Sequence, residues 1–133
     1  MEESLGELVG GYRKSTHSSY SFNAFIIDEN ICFEEEYDYY PRDDDEGMLY
    51  VYGLSIPLSH LDAVLSLLLK RCGSEQFIPQ SNKSGLLSQC LKQLVAQGEF
   101  KDFGTAAIKE NLMIIHRWLE VEGIPHKPPF LAF

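Results

Sequence analysis

Two runs of residues decide the fold of this chain: Tyr20-Ser-Phe-Asn-Ala-Phe-Ile-Ile27 and Ile31-Cys-Phe-Glu-Glu-Glu-Tyr-Asp-Tyr-Tyr40. Both are rich in aromatic and β-branched residues, both alternate with a period of two, and the turn-like Asp28-Glu29-Asn30 separates them. The pattern predicts an antiparallel hairpin. A two-residue loop at Glu29-Asn30 would set the following pairs: Ile26 with Phe33, Ala24 with Glu35, Phe22 with Tyr37, and Tyr20 with Tyr39.

One face of this hairpin is apolar except at Glu35, and the opposite face carries Glu34, Glu36 and Asp38. Burial would raise the pKa of Glu35 and could equip it for general acid or base work. The interpretation we favour is a β-bulge that turns Glu35 outward, because bulges re-aim side chains in this way.

The remaining elements follow from the same kind of pattern. A third strand, Met48 to Ile56, is apolar on both faces and completes a meander. Helical spacing and stop signals then predict three helices. Their ranges are Ser59 to Cys72, with a capping box at Ser59-His-Leu-Asp62; Ser84 to Gln97; and the cap Thr105 to Gly123.

The proline-rich residues 124–133 predict an extended tail that either docks on the core or binds a partner. Strands followed by helices, without alternation, indicate the α+β class. We therefore expect one domain over residues 1–133, an antiparallel three-stranded β-meander followed by three α-helices packed on the sheet. An acidic hairpin and loop occupies residues 28–47.

The acidity of the chain is local. Ten of the 20 acidic residues lie between Asp28 and Glu46 beside a single cation, Arg42, so this stretch accounts for the whole net charge of −9. A negative balance disfavours nucleic acid as a partner and favours a basic protein. No apolar run approaches the roughly 18 residues of a membrane span, and the N-terminus lacks a signal-peptide pattern. We expect a cytoplasmic protein without a membrane partner.

Several uses of the acidic stretch compete. An EF-hand fails, because placing Gly47 at the sixth loop position puts Arg42 first and Gly53 twelfth. A looser cation site at Asp43 to Glu46 is disfavoured, since consecutive residues cannot easily all face one ion. A merely solvated hairpin and a docking surface for a cationic partner both stay open. The docking hypothesis assigns partner binding to Glu34, Glu36, Asp38, Tyr40, Asp43, Asp44, Asp45 and Glu46.

No motif indicates catalysis, a metal or a cofactor. The four histidines, His17, His60, His116 and His126, form neither His-x-x-x-His nor Glu-x-x-His spacing on one helix. The three cysteines are widely spaced and are typical of buried thiols rather than of a disulfide framework. We expect a protein that is not an enzyme and has no catalytic residues, metal ligands or cofactor.

With its acidic segments Glu34-Glu35-Glu36-Tyr37-Asp38-Tyr39-Tyr40 and Asp43-Asp44-Asp45-Glu46, the chain resembles bacterial immunity proteins, which neutralise secreted or contact-delivered toxins. The resemblance is one of type, through size and acidic surface. It implies a stoichiometric inhibitor of a basic, nuclease-type toxin domain, as in contact-dependent growth inhibition. Two other functions stay open: an adaptor that binds a basic peptide through the acidic hairpin and contacts it again through Phe130 to Phe133, and an enzyme that uses Glu35 and a histidine.

Overall fold

The fold is a five-stranded antiparallel sheet with three helices, seen in a computed structural model that describes residues 2–13, 17–39, 48–73, 82–103, 106 and 108–131. The strands lie side by side in chain order, and the three helices come between β4 and β5 in the sequence. The elements are β1 (Glu3–Arg13), β2 (Ser18–Ile27), β3 (Asn30–Tyr39), β4 (Met48–Pro57), α1 (Leu61–Cys72), α2 (Lys83–Ala96), α3 (Glu110–Glu122) and β5 (Lys127–Leu131).

The α+β class is confirmed, but the prediction of three strands is wrong in number, because β1 and β5 extend the sheet at its two edges. In β1 the pairing with β2 is irregular at two places, which leaves Leu5 and Leu8 without Cα partners. Leu5 and Leu8 are three residues apart, so on a regular strand they would face opposite sides of the sheet. The irregularities turn both side chains into the core. The predicted tail contains β5, which pairs with β4.

The β2–β3 hairpin forms, with a register two residues from the predicted one. Its turn is Asp28-Glu29, and Ile27 pairs with Asn30. Asp28 and Glu29 have φ angles of 50° and 61°, and positive φ at both central residues defines a type I′ turn, whose twist suits a two-residue hairpin. A shift of two preserves the faces, so the predicted inward residues still point inward, and Phe22 rather than Ala24 lies opposite Glu35.

The helices cover one face of the sheet. Helix α2 packs on β1 and on α1, while α3 crosses β3, β4 and β5. Aromatic rings join the two layers: Phe22 lies edge-on to Phe100 with centroids 5.3 Å apart, and Phe100 lies 5.8 Å from Trp118. Leu54 and Ile56 of β4 complete the sheet side of this core.

Two predicted helix starts are wrong. The capping box at Ser59 does not form; a 3₁₀ turn (Leu58–His60) precedes α1, and no side chain caps that helix. Helix α3 begins at Glu110 rather than at Thr105, which lies outside the described residues. Ile108, predicted to be inside that helix, is in a turn and is 54% exposed. Lys109, with a φ of 64°, sets the start of α3.

Glu35 is fully buried, so the prediction of an outward-turning bulge is wrong; the pairing of β3 with both neighbours is continuous through it. Its Oε1 accepts hydrogen bonds from the Tyr20 hydroxyl at 2.6 Å and from the Asn111 backbone N–H at 2.9 Å. Asn111 is the second residue of α3, where an N–H group has no partner within the helix. Glu35 therefore caps α3 from a neighbouring strand, in the field of the helix N-terminus.

Asn111 extends this network. Its Nδ2 donates to the Tyr20 hydroxyl at 2.7 Å and to the Lys101 carbonyl at 2.9 Å, and its Oδ1 accepts from the Lys101 N–H at 2.8 Å. The Tyr20 hydroxyl thus both donates and accepts. Burial and the hydrogen bond to Glu35 raise the pKa of Tyr20, which keeps this hydroxyl protonated and able to donate.

We predict that Tyr20→Phe lowers the free energy of unfolding by about 1–3 kcal/mol, because Glu35 Oε1 and Asn111 Nδ2 each lose one buried hydrogen bond. Urea denaturation followed by circular dichroism measures this loss. Tyr12→Phe is the matched control, since Tyr12 is 66% exposed, and it should change stability by less than about 0.5 kcal/mol. Equal effects of the two substitutions would show that the network does not stabilise the fold.

Candidate binding surface

The second face of the sheet, which we call the open face, is not covered by any described helix. Residues that alternate with the core residues of β2, β3 and β4 point to it. Gly53 of β4 also lies at such a position and is buried, whereas the other residues are half-buried or exposed. They are Ser19, Ser21, Asn23, Phe25 and Ile27 of β2, Cys32, Glu34, Glu36 and Asp38 of β3, and Leu49, Val51 and Ser55 of β4.

Carboxylates run along the middle of the open face. Glu34, Glu36 and Asp38 alternate along β3, and neighbours two apart on a strand are about 7 Å from one another. Two charges at that distance in water repel by about 0.6 kcal/mol. Burial raises the pKa of Glu34, and the charges of Glu36 and Glu2 raise it further. The row therefore concentrates negative charge that a cation would stabilise.

Glu7 of β1 adds to this row. It pairs with Asn23 of β2, which in turn pairs with Glu34 of β3, so Glu7 and Glu34 flank Asn23. Gly10 leaves room for the Glu7 carboxylate, because a Cβ there would overlap it. We call Glu7, Glu34, Glu36 and Asp38 the acidic row.

A recess of about 360 Å³ lies at one end of the acidic row. Phe25, Ile27 and Cys32 supply apolar walls, and Glu2 and Glu34 contribute carboxylates. Cys32 is a free thiol, and burial raises its pKa, as do the charges of Glu34, Asp28 and Glu2, so the thiol stays neutral. The recess thus combines an apolar pocket with negative charge.

The other end of the row has exposed apolar side chains. Tyr12, Ser19, Asp38 and Leu49 are paired in one line across four strands, and Tyr12 and Leu49 are 66% and 40% exposed. Asp38 Oδ1 is shielded from solvent and has no hydrogen-bond partner among the described residues. This end of the row therefore offers apolar contact area beside the Asp38 carboxylate.

The predicted site residues divide into two groups. Glu34, Glu36 and Asp38 lie together on the open face, whereas Tyr40, Asp43, Asp44, Asp45 and Glu46 fall outside the described residues, as does the cation site considered at Asp43 to Glu46. Sequence reasoning missed Glu7, Glu2 and Phe25. Glu7 and Glu2 depend on β1, which was not predicted, and Phe25 would have followed from the alternation of β2.

Glu35 is separated from this surface by the sheet itself. Burial raises the pKa of Glu35, and the negative charge of Glu110 raises it further. The hydrogen bonds from Tyr20 and from the Asn111 backbone lower this pKa and oppose the effect of burial. Its Oε2 has no hydrogen-bond partner among the described residues. Because Glu35 has no exposed surface, a substrate could reach it only if α3 moved away from the sheet.

The fold and the surface together define an α+β domain with one helix-covered and one open sheet face. No protein-family model, curated protein or solved structure matches the chain. In the part of the chain that the structure describes, the helices are too short or too polar to span a bilayer.

We predict that Glu35 makes stability fall as the pH rises. The folded pKa of Glu35 lies above its ordinary value of 4.5, so between these two values the folded chain retains a proton that the unfolded chain has lost. The contribution of Glu35 to the free energy of unfolding is therefore fully present below pH 4.5. It declines as the pH rises to the folded pKa, by at most about 1.4 kcal/mol per pH unit.

Urea denaturation of the wild type and of Glu35→Gln between pH 4.5 and 8 measures this contribution. Glutamine has nearly the same shape and does not titrate, so the stability of the wild type relative to the variant should decrease with pH and then level off. A difference that stays constant over the range contradicts the assignment.

Proposed function

We propose that this chain is a non-catalytic binding protein that neutralises a cationic, nuclease-type bacterial toxin domain by forming a stoichiometric complex, in the manner of an immunity protein. The observation that carries the proposal is the open face, where the acidic row lies between an apolar recess and exposed apolar side chains. Its charge complements the basic cleft with which a nuclease binds phosphates.

The recess suits one kind of anchor. Lysine and arginine combine a long apolar stem with a cationic head, and they bury the stem while the head keeps polar contacts. Phe25 and Ile27 would contact the stem, and Glu2 and Glu34 would pair with the head. The raised pKa of Glu34 would fall towards its ordinary value in such a complex, because an adjacent cation favours the carboxylate.

The acidic row contributes to binding in a second way. A field of one sign steers an oppositely charged partner and raises the association rate by about 10- to 1,000-fold at low salt. Tyr12 and Leu49 then offer apolar contact area beside the charges. Protein interfaces commonly combine an apolar centre with a polar rim.

The experiment begins with a partner purified from the source cells by affinity to this chain. We expect a basic toxin domain that binds one-to-one in calorimetry and whose nuclease activity is abolished at equimolar concentration. An adaptor would bind the same face without abolishing an activity. A partner that keeps its full activity in the saturated complex contradicts neutralisation.

We predict that reversing the charges of Glu34, Glu36 and Asp38 to lysine slows association by about 10-fold or more at low salt. Stopped-flow mixing at several salt concentrations measures this, and the salt dependence of the rate should become weaker.

The matched control reverses three acids of the helix layer, Asp62, Glu99 and Glu122, and so changes the net charge equally. Asp62 and Glu122 take part in surface ion pairs with Lys83 and Lys70, whose loss costs little stability. If both triple variants slow association to the same extent, only net charge matters and the open face is not the docking surface.

A further inference from the structure

Three side chains with metal-binding atoms converge at the end of α3, on the helix side of the sheet. His116 and Glu120 lie one turn apart on α3, and His126 lies in the segment that leads into β5. His126 Nε2 is 2.7 Å from His116 Nδ1 and 3.6 Å from Glu120 Oε1, and His116 Nδ1 is 4.0 Å from Glu120 Oε1.

The end of α3 brings His126 back to the helix. Gly123 ends the helix with a φ of 68°, a left-handed conformation that glycine adopts without strain. The Gly123 and Ile124 N–H groups then donate to the carbonyls of Glu120 and Leu119. Ile124 is buried, so the turn is fixed on the core and His126 faces α3.

His126 is oriented as metal-binding histidines are. Its Nδ1 lies 2.8 Å from the Ile124 carbonyl oxygen, which can only accept a hydrogen bond. Nδ1 therefore carries the proton, and the lone pair of Nε2 points towards His116 and Glu120. Backbone carbonyls and carboxylates hold ligating histidines in this way in metal sites. The side chain of His126 is only 3% exposed, which keeps the ring in place.

The separations of the donor atoms fit a tetrahedral metal ion. Bonds of about 2.0–2.1 Å to zinc place two ligand atoms roughly 3.4 Å apart, and the three observed separations lie on either side of that value. Shifts of about 0.7 Å or less per separation, within reach of side-chain torsions, would bring them to it. Nitrogen donors exclude calcium and magnesium as the natural occupants.

We propose that His116 Nδ1, Glu120 Oε1 and His126 Nε2 bind a divalent first-row transition-metal ion, for which zinc is the best match. Two imidazoles and one carboxylate form an established zinc ligand set that leaves a fourth position for water. A cavity of about 260 Å³ lined by Glu120, Gly123 and His126 adjoins the ligands and has room for it. Such an ion would link His126, the residue before β5, to α3. The site lies on the helix side of the sheet and is separate from the proposed docking surface on the open face.

Without metal, the protonated Nδ1 of His116 donates a hydrogen bond to His126 Nε2, which accounts for the 2.7 Å separation. With metal, this proton moves to Nε2 of the same His116 ring, so Nδ1 offers its lone pair and the ring stays neutral. The ion thus replaces a hydrogen bond between the two histidines. If the two histidines served only as a structural hydrogen-bonded pair, the chain would show no zinc affinity that depends on Glu120.

The test uses the full chain without a polyhistidine tag, freed of metal and titrated with zinc chloride against a chromophoric chelator. We expect one zinc ion per chain with a dissociation constant of about 1 μM or below. Cobalt chloride should give the intense visible absorption of tetrahedral Co²⁺. Saturating zinc should raise the melting temperature by about 5 °C or more at a hundredfold excess over the dissociation constant.

Glu120→Gln and His116→Ala should each weaken zinc binding by at least about 100-fold, since changes even outside the ligand shell cost 10- to 100-fold. Glu120 is 63% exposed, so its glutamine variant should fold, which circular dichroism checks. His60→Ala is the matched control and should bind zinc as the wild type does. A wild-type dissociation constant above about 1 μM, or equal affinity in all these chains, overturns the proposal.

Discussion

The architecture depends on how the chain accommodates one buried carboxylate. Glu35 has no exposed surface, and an uncompensated charge in that position would cost several kcal/mol. It is compensated by the N-terminal turn of α3 and by the Tyr20 hydroxyl. Because the helix N-terminus must meet this carboxylate, the position of α3 on the sheet is specified by hydrogen-bond geometry as well as by apolar packing.

The described helices lie on the same face of the sheet as Glu35, and the other face is open. Helix α3 lies over β3, β4 and β5, and α2 lies over β1, so the described helices form one layer. Along β3, Glu35 points into this layer while Glu34, Glu36 and Asp38 point away from it. A slip of one residue would exchange the two sets. The type I′ turn at Asp28-Glu29 fixes the register, so it separates the carboxylate that anchors the helix from those proposed to meet a partner.

The sequence indicates the central hairpin well because its period of two is regular. The ends of β2 and β3 lie within two residues of the prediction, and Glu34, Glu36 and Asp38 were assigned to one face from alternation alone. The predicted register differs from the structure by two, because three turn-like residues, Asp28-Glu29-Asn30, allow two positions for a two-residue loop. The structure places the loop at Asp28-Glu29, with Glu29 at a φ of 61° that is uncommon for glutamate.

The edge strands were harder to predict for different reasons. In β1, the two irregularities hide the alternation, since Leu5 and Leu8 reach the core at a spacing of three, and glycines interrupt the strand. In β5, Pro128 and Pro129 disfavour a strand because proline has no N–H group to donate. An edge strand tolerates them, since it pairs with a neighbour on one side only. Glu7 therefore stayed outside the predicted site. The histidine and glutamate cluster was missed because His126 approaches α3 only through the turn at Gly123.

The most direct test of the central claim is the hydrogen-exchange rate of the Asn111 backbone amide, measured by nuclear magnetic resonance under native conditions. As the second residue of a helix, it would have no partner in the helix and would exchange rapidly if Glu35 did not accept its hydrogen bond. The structure predicts protection as strong as that of the paired amides of β2 and β3, with exchange only through global unfolding. An Asn111 amide that exchanges as fast as an exposed first-turn amide would contradict the claim that Glu35 caps α3 and holds it on the sheet.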